Sequence, residues 1–125
     1  MGSCYSGWVR VIARSTLNLF VQNRVEERLR GAVKGRLDAW YAEVSKAHWQ
    51  NSADIKRHYA TASIVSAERV VFNIKGNDYR LVVAIDYQHQ IVLIVWIGTH
   101  KEYDKIEVGK VRYGKERYTG SSNPN

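Results

Sequence analysis

Val70 to Asp104 reads VVFNIKGNDYRLVVAIDYQHQIVLIVWIGTHKEYD. Three apolar runs are separated here by two polar turns, and the end has the form of a helix start. Val70–Ile74 is β-branched and aromatic, the composition of a strand. Lys75-Gly76-Asn77-Asp78 is a turn in which Gly76 and Asn77 tolerate positive φ. Tyr79–Tyr87 alternates, with Tyr79, Leu81, Val83, Ile85 and Tyr87 on one face and Arg80, Val82, Ala84 and Asp86 on the other. Gln88-His89-Gln90 turns the chain again. Ile91–Ile97 is apolar on both faces, as suits a central strand covered on each side. The stretch predicts an antiparallel meander.

Two features go beyond a generic sheet. Arg80 sits among Val and Leu, where a guanidinium must meet water, a carboxylate or a ligand, because an unpaired buried charge is costly. Thr99-His100-Lys101-Glu102 has the capping-box form T-x-x-E. With Thr99 as cap, His100 is the first helical residue and Tyr103 lies three residues on, on the same face. An imidazole, a phenol and a nearby guanidinium beside helix N–H groups would suit an anion.

The 125 residues suffice for one small domain. The longest apolar run, Ile91–Ile97, is far short of a membrane span. The single cysteine, Cys4, excludes an internal disulfide and fits a reducing compartment such as the cytoplasm. Nineteen Lys and Arg against twelve Asp and Glu leave a formal charge of +7. A small basic domain often has an anionic partner, nucleic acid above all, although the excess also serves as a solubilising surface. The four histidines, at 48, 58, 89 and 100, lack metal-ligand spacing, so no metal or other cofactor is expected.

Residues 1–8 read as a disordered extension. They match the loose acylation form M-G-x-x-x-[ST] at Gly2 and Ser6, with Cys4 nearby, but carry no signal-peptide pattern. Val9–Ala13 is β-like, and Ser15 or Thr16 is the expected cap of the helix that follows. Leu17, Phe20, Val21, Val25, Leu29, Val33, Leu37, Trp40, Tyr41, Val44 and Ala47 keep a helical period. Gly31 and Gly35 weaken the middle of that span, which predicts a helical hairpin or one bent helix. Arg24, Arg28, Arg30, Lys34 and Arg36, interspersed with Glu26, Glu27 and Asp38, read as its solvated face. Asn51 or Ser52 caps a short helix over Ala53–His58, His48 packs at a helix end, and Ile64-Val65 begins pairing ahead of Arg69–Ile74. Residues 9–108 form the domain, and 109–125 a mobile basic tail.

Val70–Asn77, Tyr79-Arg80-Leu81-Val82-Val83 and Gly98-Thr99-His100 with Glu102-Tyr103-Asp104 together resemble the signature of HigB-type mRNA interferase toxins. These belong to the RelE/ParE superfamily of type II toxin–antitoxin systems. Val11–Leu17, Trp40–Val44 and Ala53–Arg57 extend the resemblance across most of the chain, although the helical region looks longer than in such relatives. The resemblance implies an α+β fold: an N-terminal strand, a helical hairpin or long bent helix, then a twisted antiparallel meander with a short C-terminal helix. It also implies metal-independent endonucleolytic cleavage of mRNA, commonly on the translating ribosome, and a HigA-like helix-turn-helix antitoxin as partner.

RNA can be cut without metal when a base removes the 2′-OH proton, the oxygen attacks the adjacent phosphorus, an acid protonates the departing 5′-oxygen, and cations hold the developing charge. Arg80 is the residue for gripping the scissile phosphate, and His100 is the candidate acid or base. Tyr103 orients the phosphate or shares proton transfer, and Asp104 orients His100 or caps structure. Lys56, Lys75 and Lys101 are the expected RNA and phosphate contacts. Each residue has a structural alternative. Arg80 could pair with Asp86 or Glu102, and His100 and Tyr103 could simply close the sheet. The ParE branch, which inhibits a protein and cuts no RNA, and a non-enzymatic RNA-binding role are the competing functions.

Overall fold

The computed structural model describes residues 9–76 and 78–106. The extension over 1–8, Asn77 of the first turn and the tail over 109–125 lie outside the described residues. The elements in order are β1 (Arg10–Ile12), α1 (Arg14–Arg24), α2 (Glu27–Ser45), α3 (Ser52–His58), β2 (Ser63–Ile64), β3 (Arg69–Ile74), β4 (Tyr79–Asp86), β5 (Ile91–Thr99) and α4 (His100–Tyr103). The five strands form one sheet in the order β1-β5-β4-β3-β2. The meander β3-β4-β5 is antiparallel as its alternation predicts. β1 adds in parallel to the outer side of β5, with Val11 opposite Val92, so the sheet is mixed and β5 lies between two neighbours. Among the described residues no helix is long and apolar enough to cross a membrane.

The two sheet faces are used differently. Val70, Phe72, Ile74, Tyr79, Leu81, Val83, Ile85, Val92, Ile94 and Ile97 face the helices and are buried with Leu17, Phe20 and Val21 of α1 and Val33, Leu37, Trp40 and Val44 of α2. The spacing of the α2 residues, four, three and four, is one stripe of a 3.6-residue helix. Phe20 meets Tyr79 edge-on with centroids 5.7 Å apart, and Trp40 meets Phe72 at 5.4 Å. Burying each large side chain here stabilises the fold by about 1.5–3 kcal/mol. The opposite face carries a smaller cluster of Val71, Val82, Val95 and Trp96, against which Ala84, Tyr103 and Ile106 pack.

The helical span is a hairpin, but its break is not at the glycines. Val25 is extended at the end of α1, and α2 then runs unbroken through Gly31 and Gly35, where a Cβ would meet nothing within 4 Å. A glycine weakens an exposed helix by only about 1 kcal/mol, less than burying either Val25 or Val33. Both of those side chains are inside, and a two-residue link satisfies both. The first helix also starts earlier than its hydroxyls suggest. Its cap is Ala13, without a side-chain bond, and Thr16 is buried instead, donating its backbone N–H to the carbonyl of Ala13 at 3.0 Å.

Asn51 caps α3 by accepting the Asp54 N–H at 3.1 Å. His48 is exposed, and its neighbour Trp49 is the packed residue. Arg28 pairs with Glu26 at 2.9 Å and Lys34 with Asp38 at 2.7 Å on a solvated surface. Arg24 does not belong to that surface; it is half-buried against α4.

Three tyrosines inside this fold resist ionisation. Burial raises the phenols of Tyr59, Tyr79 and Tyr87, and Tyr59 also donates its O–H to Glu43 at 2.5 Å, whose charge raises it further. A group whose folded pKa lies above its unfolded value keeps its stabilising effect below the unfolded value and loses it as pH rises beyond. Unfolding free energy should therefore fall once pH passes the free-phenol value of about 10. Urea unfolding of Tyr59→Phe, followed across that range, should show a shallower alkaline decline than the unaltered protein.

Candidate active site

At one end of the sheet three segments meet: the β3–β4 turn, the start of β4 and the end of β5 running into α4. The β3–β4 turn is built on Lys75 and Gly76, both at positive φ, 54° and 65°. Lys75 takes this conformation although the sequence favours Gly76 and Asn77 for it. Its ammonium lies 3.1 Å from the Asp78 carboxylate across the turn. The carbonyl of Asp78 then accepts the backbone N–H of His100 at 3.1 Å, which fastens the turn to the first residue of α4.

Arg80 lies on the sheet face away from α1 and α2. Its backbone partner on β5 is Gly98 and on β3 is Asn73. Asp86 and Glu102, the carboxylates that the sequence offers Arg80, each bond another residue as well. Asp86 accepts the His89 backbone N–H at 3.0 Å and the His89 ring at 2.8 Å, and the two hold its carboxyl below the usual value. Glu102 holds Arg24 at 2.5 Å. Arg80 itself is half-buried, and its Nη1 makes a long 3.4 Å contact to the Tyr79 carbonyl.

Four residues are too few for a self-sustaining helix, so α4 depends on its surroundings. Its capping box is complete: Thr99 Oγ1 accepts the Glu102 N–H at 3.2 Å, and Glu102 Oε1 accepts the Thr99 N–H at 2.9 Å. Caps of this kind contribute about 1 kcal/mol. The Tyr103 ring packs on Trp96 with centroids 6.2 Å apart, which leaves Tyr103 partly exposed while Trp96 is 1% exposed. His100 and Lys101 are exposed at the start of the helix.

Arg80, Lys75, His100, Lys101 and Tyr103 are thus gathered at one end of the sheet. Lys56 is used differently. Its ammonium donates to the carbonyls of Ala60 and Ala62 at 2.7 and 2.8 Å and closes the loop after α3. Three further residues shape the site. Arg24 anchors Glu102. Trp96 is the floor under Tyr103. Gly98 provides space, because a Cβ there would lie 2.6 Å from the Trp96 ring and 2.7 Å from Glu102 Oε1. A glycine within a strand pattern signals such a close approach, so Gly98 was open to detection from sequence; the Arg24 pairing, across 78 positions, was not.

The arrangement offers a guanidinium, an imidazole, a phenol and two ammonium groups at one sheet end, the complement for an anionic substrate with mobile protons. The family model for HigB toxins, described as the RelE-like toxic component of a toxin–antitoxin system, matches residues 33–106. That span contains β2–β5, α3 and α4 and most of α2. No curated protein matches the chain.

Gly98→Ala should overpack this corner, since Trp96 is buried and Glu102 is tethered at both oxygens. A loss of about 1–3 kcal/mol is expected, read as a lower urea midpoint with unchanged slope.

Proposed function

The chain belongs to the HigB family of RelE-like toxic components of toxin–antitoxin systems, and from that premise we propose that it is a metal-independent endoribonuclease that cleaves mRNA and so inhibits translation. The observation that carries this reading is the joining of the β3–β4 turn to α4 through the His100 N–H and the Asp78 carbonyl. With Arg80 opposite Gly98, it supports a reading in which the Arg80 guanidinium binds phosphate and the His100 imidazole, at the same sheet end, moves protons.

In this reading Arg80 grips the scissile phosphate through two parallel N–H bonds. His100 and Tyr103 divide the proton transfers, one removing the 2′-OH proton and the other serving the departing 5′-oxygen. Lys75 and Lys101 supply positive charge along the RNA backbone, and Lys56 does so on exchanging its two loop carbonyls for a phosphate. Asp78, paired with Lys75, keeps that ammonium at the turn. The substrate is mRNA on the translating ribosome in the cytoplasm, and the partner is a HigA-like helix-turn-helix antitoxin.

The test is induction in bacteria of the unaltered protein, Arg80→Ala and His100→Ala, with primer extension on a reporter mRNA. The unaltered protein should arrest growth and create new mRNA ends. Each variant should remain folded by circular dichroism and lose roughly 10²-fold or more in cleavage. Growth arrest without new ends would overturn the nuclease reading in favour of a toxin that acts by binding a protein.

A further inference from the structure

The Glu102 carboxylate is shared between two elements distant in sequence. Oε1 accepts the Thr99 N–H at 2.9 Å and completes the cap of α4. Oε2 lies 2.5 Å from Nη2 of Arg24, the last residue of α1. Both side chains are about three-quarters withdrawn from solvent, 27% and 28% exposed. The second terminal nitrogen of Arg24, Nη1, is buried and has no hydrogen-bond partner among the described residues. Nη1 has therefore given up water, while Nη2 bonds one carboxylate. That is unfavourable unless the carboxylate is ionised and held in place, and the capping box supplies the holding.

The consequence falls on α4. The helix has four residues and no length of its own to resist fraying. Its first residue is His100 and its last is Tyr103. Its cap, the bond from the His100 N–H to the Asp78 carbonyl and the packing of Tyr103 on Trp96 hold it to the sheet; among the described residues, Arg24–Glu102 ties it to the helical layer. Arg24 lies outside residues 33–106, the segment matched by the family model. Building on the nuclease reading, we infer that Arg24 is a positioning residue: α1, through Glu102, sets the orientation in which α4 presents His100 and Tyr103 toward the phosphate gripped by Arg80.

Three proteins test this: the unaltered chain, Arg24→Lys, which keeps the charge, and Arg24→Met, which keeps the stem and removes it. Two measurements are made on each. Amide hydrogen exchange compares Thr99–Asp104 with the β3–β5 ladder, and cleavage kinetics on translating ribosomes separate kcat from KM. A displaced catalytic group can cost ~10²-fold in rate, so Arg24→Met should lower kcat by an amount of that order with KM changed less than about twofold. Exchange at Thr99 and Glu102 should rise while the ladder stays protected. Arg24→Lys should recover a substantial part of both.

Unchanged exchange in α4, or full activity of Arg24→Met, would overturn the inference. So would a loss in which the ladder amides open together with α4, because Arg24 would then support the whole fold. Absence of cleavage by the unaltered protein would overturn the nuclease reading, and the exchange comparison alone would then decide whether Arg24 sets the position of α4.

Discussion

The pairing of β4 with β5 is the constraint on which the rest depends. Up to Val82 opposite Trp96 the ladder is regular, and beyond it Val83 pairs with Ile94. Val95 is the extra residue of a bulge, which shifts the strand by one position. Because side chains alternate with period two, that shift decides which residues of an all-apolar strand face which layer. Val92 and Ile94 before the bulge, and Ile97 after it, all reach the helices. Trp96 turns to the other face. An unbulged ladder would either send Ile97 away from the helical core and take Trp96 from beneath Tyr103, or send Ile94 away from that core.

The same register builds the site. With Trp96 opposite Val82, Gly98 falls opposite Arg80, and the missing side chain gives the Trp96 ring and the Glu102 carboxylate their place. One residue on, Thr99 caps α4, and the His100 N–H reaches the β3–β4 turn. A core residue, a glycine, a cap and a basic turn are coupled through one strand end. The helical layer is coupled in as well, by Arg24 at the end of α1. The N-terminal part of the chain thereby reaches a site whose candidate catalytic groups, Arg80, His100 and Tyr103, all lie in the C-terminal half.

Much of this was legible in the sequence because each signal had a local cause. Alternation over Tyr79–Tyr87 gave β4 and its faces, and T-x-x-E over Thr99–Glu102 gave a cap that forms with both bonds. What escaped depended on distant contacts. Ile91–Ile97 is apolar at every position, so nothing in it marks Val95 as the bulge. Val9–Ala13 read as a strand, yet its parallel placement beside β5 is a tertiary matter. The hairpin break followed burial of Val25 and Val33 over the glycine signal. Arg24 read as one more surface cation because its partner stands far along the chain. The candidate site residues rest on a resemblance to a family, and the family model supports the family itself over 33–106.

The central claim is that this end of the sheet cuts RNA by 2′-oxygen attack without metal. The most direct measurement is the chemistry of the ends made on a reporter mRNA by the purified protein with translating ribosomes. Cleavage is compared with and without chelation of transition metals by a chelator that spares ribosomal magnesium. The account predicts a 2′,3′-cyclic phosphate, or the 3′-phosphate it opens to, on the upstream fragment and a 5′-hydroxyl on the downstream fragment, at the same rate in both conditions. Fragments with 5′-phosphate ends, or cleavage lost on chelation, would contradict it.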